Sequence, residues 1–407
     1  MKPKRFSALL LSAASLILAI LMIAYPKSSW DASVRGLAIW WDVLFPSLFP
    51  FFVISEIMLG FGIVHFLGKL LDPLMKPLFR IPGSGGFALA MGFASGYPVS
   101  AKLTTKLREQ GLVSRIEGER LVAFTTTSDP IFLIGAVSIG FFGNPQLAGA
   151  LAAVHYGSAI LLGLIMRFYG RKQETQQPSK ISGTSPFSLR LAVRAMHEAR
   201  LQDGRSLGEL LSQAVTSSLQ LMTIVGGLVV FFSVVLEVLT VSQVMNTLYT
   251  GLRHLLPLLS LPGDLAEPLI GGLFEVTLGS KASAAPVGVP LHYKAAAAAF
   301  ILSWGGLSVH AQVASILNGA DLRYVPFLVA RFAHGILSTV LLLVLWNPLM
   351  GTNPVFGRLQ HVEAGGFSAW SLTVDLFAIT CTAIGIMLIL SLFTTMITRL
   401  SSSARRK

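Results

Sequence analysis

Eight apolar stretches, at 7–25, 43–65, 121–142, 147–168, 214–239, 295–318, 325–347 and 372–396, decide what this chain can fold into. Each is about long enough for a helix to cross the roughly 30 Å hydrocarbon core of a bilayer. Only 12% of the 407 residues are charged, and mean hydropathy is +0.69. Soluble domains carry about twice that share of charge. No single core hides so much apolar surface, so a soluble protein is excluded. The sequence predicts an all-α polytopic membrane protein, with the lipid bilayer as its first partner.

The first stretch follows Lys2, Lys4 and Arg5 and runs into Tyr25-Pro26-Lys27-Ser28 without a small-x-small cleavage site. It therefore reads as a retained span, not a signal peptide. Two further stretches, 83–101 and 263–287, are too rich in glycine and proline for ordinary spans. They read as re-entrant helical hairpins, since irregular backbone at depth must be buried in protein or face a cavity.

The net charge of +12 would suggest nucleic acid in a soluble protein; here it labels one side of the membrane. With the N-terminus inside, the cytoplasmic segments 1–6, 66–120, 167–213, 319–324 and 397–407 hold 24 of the 31 lysines and arginines. Both termini are expected inside, and no nucleic-acid partner is expected. The single cysteine, Cys381, lies in an apolar run and cannot form an internal disulfide.

The two halves repeat. Pro77-Leu78-Phe79-Arg80-Ile81-Pro82-Gly83 recurs as Pro257-Leu258-Leu259-Ser260-Leu261-Pro262-Gly263, and Gly92-Phe93 as Gly272-Leu273, at the same offset. His155 and His334 also correspond. The topology makes the repeats inverted, a pattern of secondary transporters whose sites lie near the midplane where broken helices meet. The expected organisation is an N-terminal helix and external loop at 1–40 and a first repeat at 41–170. A basic linker follows at 171–213, then a second, inverted repeat at 214–350. A loop, helix and basic tail fill 351–407. Residues 188–205 of the linker suit either a basic amphipathic helix on anionic lipid or a solvated connector.

Polar residues concentrate at the interruptions. The first break offers Ser95, Gly96, Tyr97, Pro98, Ser100 and Lys102. Free backbone N–H groups there would suit an anion. The second break is Thr125-Thr126-Thr127-Ser128-Asp129-Pro130, where Asp129 has no obvious structural reason. The third holds Glu275, Thr277, Ser280 and Lys281, and the fourth Ser303, Trp304, Gly305, Gly306, Ser308 and His310, with Gln312 beyond. Charges at such depth face a cavity or one another. Trp304 would either stack on a planar ligand or sit in an interfacial belt. Glu56, His155, Arg331 and His334 form a second tier: another intramembrane acid, two histidines suited to interhelical hydrogen bonds, and a cation able to neutralise an acid or an anionic substrate. Metal-cluster spacings and enzyme signatures are missing, so neither metal, cofactor nor catalysis is expected.

Ser95-Gly96-Tyr97-Pro98-Val99, Glu117-Gly118-Glu119-Arg120-Leu121, Ile134-Gly135-Ala136-Val137, Phe142-Gly143-Asn144-Pro145, Gly272-Leu273-Phe274-Glu275 and Ser303-Trp304-Gly305-Gly306-Leu307-Ser308-Val309-His310 resemble the YlbJ (SpoVV) family of sporulation integral membrane proteins. The resemblance spans roughly 40–350. It implies the nucleoside-recognition Gate repeat, shared with concentrative nucleoside transporters. It also implies passage of dipicolinic acid from the mother cell across the outer forespore membrane. That planar dianion would draw on Lys102 or Lys281 for charge and on Tyr97 or Trp304 for stacking. An acid at 129 beside an anion path argues either for cation coupling, by proton or sodium, or for Asp129 facing away. A nucleoside carrier and a non-transporting scaffold are the alternatives.

Overall fold

A computed structural model describes residues 3–170 and 188–351. The expected C-terminal span at 372–396 and most of the linker lie outside the described residues. Among those residues the regular elements are all helical. In chain order they are α1 (Pro3–Ala24), α2 (Pro26–Ile39), α3 (Phe45–Gly60), α4 (Ile63–Phe79), α5 (Ser84–Ser95), α6 (Tyr97–Glu109) and α7 (Arg115–Thr125). Next come the wide, π-wound α8 (Phe132–Phe141), then α9 (Leu147–Met166), α10 (Leu189–Asp203), α11 (Leu207–Val241) and α12 (Val244–Leu255). The last are α13 (Ala266–Phe274), α14 (Val276–Ala284), α15 (Leu291–Trp304), α16 (Gly306–Asn318) and α17 (Tyr324–Met350).

Four segments are long and apolar enough to cross a membrane: α9, α11, α15 with α16, and α17. Two bent pairs raise the number to six among the described residues: Ser12–Ala24 with Pro26–Asp42, at 102°, and Phe52–Gly60 with His65–Leu71, at 83°. Several expected spans are thus corrected. The stretch 43–65 turns at Gly62, whose φ of 75° is left-handed. The stretch 121–142 divides into α7, four residues without helical hydrogen bonding, and α8. Residues 26–39, expected as an external loop, form α2. That helix packs along α11, where Arg35 meets Glu237 at 2.7 Å and Trp40 Nε1 donates to the Met222 carbonyl at 2.9 Å. The segment at 188–205 does form a helix, α10, but it rests on α4 and places Arg200 over the Phe61 ring.

The interrupted stretches become hairpins of half-helices. α5 and α6 begin and end at one face, where Ser84 reaches the Leu112 carbonyl, and meet at Gly96. α13 and α14 meet at Glu275; the outer end of α13 packs on α12, which follows the far end of the 35-residue α11, and Lys294 binds the Ala284 carbonyl beyond α14. The two arms of the second hairpin touch backbone to backbone. A Cβ on Gly279 would lie 2.2 Å from Gly272 Cα, so small residues set this approach.

The first face is basic and is fastened by ion pairs between distant parts of the chain. The Glu119 carboxylate accepts from Arg323 Nε and Nη2 at 2.8 and 2.9 Å and from the Tyr169 hydroxyl at 2.8 Å. Arg108 binds Asp321 through Nε at 3.0 Å. Burial pushes the Glu119 carboxyl up, but hydrogen bonds from Arg323 and Tyr169 outweigh it and hold the group below its ordinary 4.5. Its contribution to stability is therefore full above pH 4.5 and is lost as the pH falls through the depressed value.

Glu119→Gln should lower stability by about 1–3 kcal/mol near neutrality, the partial exposure of Arg323 reducing the cost of a fully buried pair. In detergent melts the gap from wild type should close as the pH drops below the ordinary carboxylate range. Gly279→Ala should cost ~1–3 kcal/mol or prevent folding, because no flexible side chain can yield. Gly227→Ala on α11, where a new Cβ meets nothing within 4 Å, should be neutral or slightly stabilising in the same melts.

Candidate functional site

Four helix breaks meet in the middle of the molecule, and each half of the chain sets an acid against a glycine. In the first half Asp129 caps α8 by accepting from the Phe132 N–H at 2.8 Å. Opposite it stands Gly96, with a left-handed φ of 85°; a Cβ there would come 3.4 Å from Asp129 Oδ2. In the second half Glu275 caps α14, its carboxylate accepting from the Leu278 N–H at 2.8 Å. Gly306, with φ of 75°, lies against its backbone, where a Cβ would sit 3.0 Å from Glu275 Cα. A helix N-terminus favours negative charge, which is why acids tolerate these positions.

Between the breaks lies a cavity of about 60 Å³. Ser95, Gly96, Tyr97, Pro98 and Asp129 line it from the first half, and Glu275, Thr277 and Ser308 from the second. Both acids are buried, and among the described residues no lysine or arginine lines the cavity. Gln312 also lines it, together with the apolar wall of Phe52, Phe132, Val225 and Val229.

Most other expected site residues stand behind the cavity and hold the breaks in shape. Ser100 and Thr125 share a hydrogen bond at 2.5 Å, Thr126 returns to the Val122 carbonyl at 2.7 Å, and Thr127 reaches the Gly92 carbonyl at 3.2 Å. Ser128 donates its N–H to His155 Nε2 at 3.0 Å. That bond fixes the tautomer: His155 Nδ1 carries the proton and faces Ser303 Oγ at 3.0 Å. Arg331, fully buried, donates to the backbone carbonyls of Thr126 and Ser303, one from each half. It also donates to His334 Nδ1 at 2.6 Å, so His334 Nε2–H is left for the His155 carbonyl at 2.9 Å. One guanidinium thus satisfies carbonyls that two broken helices leave without partners.

Five expectations are corrected. Lys281 lies exposed on α14, away from the cavity. Lys102 pairs with Glu56 at 3.0 Å in a separate, smaller pocket. Trp304 belongs to neither a ligand platform nor an interfacial belt: it is buried, donates to the Leu273 carbonyl at 3.1 Å and packs against His310. Arg331 binds backbone carbonyls instead of an acid. Gly305 carries the left-handed turn at the fourth break, and His310 links Tyr324 at 2.7 Å to the Trp304 carbonyl at 3.2 Å. Ser280 is buried on α14 and does not line the cavity. The apolar wall went unforeseen, because a valine facing a cavity leaves the same trace in a sequence as one facing lipid. Among the described residues no group of three metal-ligating side chains occurs.

Arg331→Met should leave two buried carbonyls without donors, costing about 1–3 kcal/mol for each. Arg331→Lys keeps the charge but concentrates it on one nitrogen, and should recover part of that loss. Melting temperatures of the purified proteins check the order wild type, Lys, Met.

A family model described as Gate, nucleoside recognition, matches residues 42–156, which covers the first hairpin and the Asp129 break. The sporulation integral membrane protein YlbJ of Bacillus subtilis is 47% identical over 350 residues, 86% of this chain and 85% of that one. An uncharacterized protein of Alkalihalophilus pseudofirmus is 26% identical over 160 residues, 36% of this chain and 34% of its own. No solved structure matches. Identity at that level and coverage, with the apolar helices described above, makes the chain an integral membrane protein of the YlbJ sporulation family.

Proposed function

We propose that this protein is a transporter of sporulation that carries dipicolinate, a small planar carboxylate, from the mother cell across the outer forespore membrane. The observation that carries the reading is the convergence of four helix breaks, two of them capped by buried acids, on one cavity. Transporters place their sites where discontinuous helices meet near the midplane. The transport assignment rests on that geometry, and the choice of dipicolinate on the family resemblance.

The hairpin α5–α6 opens toward the basic face and α13–α14 toward the other, which supports an inverted repeat. Both termini in the cytoplasm accord with the placement of 24 of the 31 basic residues. Alternating access then follows from moving one part against the other around the cavity, by rocking or as an elevator.

A cavity with two acids and no basic side chain opposes a dianion in a medium of low dielectric. The anion must therefore enter with protons or sodium held at Asp129 and Glu275. A second reading draws on the Gate match and on the hydroxyl groups of Ser95, Thr277 and Ser308 with the Gln312 amide: a nucleoside or similar neutral solute, which needs no countercharge.

Flux into proteoliposomes separates the readings. Labelled dipicolinate should accumulate under an imposed proton or sodium gradient. Asp129→Asn and Glu275→Gln should each reduce gradient-driven flux roughly tenfold or more, equivalent to about 1.4 kcal/mol. Nucleoside uptake without dipicolinate uptake favours the second reading. No flux of either, from protein that is folded and sealed into vesicles, would leave a scaffold role.

A further inference from the structure

A smaller cavity, of about 20 Å³, lies beside the central one on the side of the basic face. α3 contributes Phe52 and Glu56 to it, α6 Lys102 and Lys106, and α11 Ser218 and Leu221. Phe52 lines both cavities and is only 2% exposed. The same two helices also run past both: Pro98 and Val225 face the central cavity, while Val99 and Leu221 face the smaller one. Val225 and Leu221 are one helical turn apart, about 6 Å along α11. The two cavities are therefore neighbours that share Phe52 as part of their walls.

Their chemistry is opposite. The central chamber holds Asp129 and Glu275 without a base. The outer one holds two lysines and one acid, with Lys102 Nζ 3.0 Å from Glu56 Oε1. Ser218 Oγ, on a residue only 1% exposed, lines the outer chamber with no hydrogen-bond partner among the described residues.

We propose that the outer chamber is an access vestibule for an anionic small solute, with Phe52 as the barrier to the central cavity. Lys106, nearer the basic face, raises the local concentration of anions. Lys102 then exchanges one carboxylate, Glu56, for another, that of the arriving solute. The lysine keeps a carboxylate partner throughout, and the displaced Glu56, whose side chain is 23% exposed, turns to water. Ser218 supplies a waiting hydroxyl. This assignment rests on the transport reading for its use, and it gives that reading a path from the basic face.

Cysteine accessibility in vesicles with the basic face outward tests it, in a Cys381→Ser background. Ser218→Cys probes the outer chamber and Gln312→Cys the central one. Leu219→Cys, 43% exposed on the outside of α11, is the control. Ser218→Cys should react with an anionic, membrane-impermeant methanethiosulfonate about ten times faster than the control, and faster than with the cationic analogue. Lys102→Met with Lys106→Met should abolish the preference for the anion. Gln312→Cys should stay protected until Phe52→Ala opens the path and speeds its reaction roughly tenfold. Phe52→Leu, a smaller change, serves if Phe52→Ala does not elute as a folded protein.

Equal labelling of Ser218→Cys and Leu219→Cys would overturn the vestibule. So would indifference to reagent charge, or Gln312→Cys labelling unchanged by the Phe52 variants. The labelling needs no transported substrate. The expected labelling without flux of dipicolinate or nucleoside would overturn the proposed function and keep the vestibule; flux without the labelling would do the reverse.

Discussion

A helix broken inside an apolar protein leaves carbonyls that nothing nearby can satisfy, and in this fold Arg331 answers for two of them at once. Its guanidinium joins the carbonyl of Thr126, where α7 ends, to that of Ser303, one residue before the end of α15. The two breaks come from opposite halves of the chain, so this contact joins the halves at the centre, together with the bond from His155 to Ser303. Arginine suits this position because its planar fork aims several donors in fixed directions. The two histidines extend the arrangement. Each has its tautomer set by one neighbour and passes the remaining ring proton to another, so this part of the protein's centre is a closed chain of donors and acceptors.

That closed chain explains why the acids stand apart from it. Asp129 and Glu275 are bound to the N–H groups of their own helices and otherwise face the cavity. The polar residues at the four breaks thus divide into those that repair backbone and those that line the cavity. Thr125, Thr126, Ser303 and His310 belong to the first kind. Ser95, Thr277, Ser308 and the two acids belong to the second.

Much of this division is legible in the sequence, and its limits are physical. Glycine, proline or charge inside an apolar run announces a break, so Gly96, Asp129, Glu275 and Gly305 stood out. Which way a side chain points around a helix is not announced. Lys281 follows Glu275 by six residues yet ends on the outside, and Lys102 turns to Glu56 on another helix. α2 escaped notice because Asp31 and Arg35 make it look like a loop. In the fold Arg35 meets Glu237 on α11, a partner 202 positions away. Val225, Val229 and Phe52 gave no signal at all, since an apolar wall is defined only by what it faces.

The charges around the cavity also carry an electrostatic consequence. Arg331 brings one positive charge, and Asp129 and Glu275 bring two negative ones when ionised. The cluster is then one unit negative in surroundings where net charge is expensive. A single proton or monovalent cation at either acid makes the whole centre neutral. Such an ion would offset the charge of the unoccupied centre whichever solute the cavity takes.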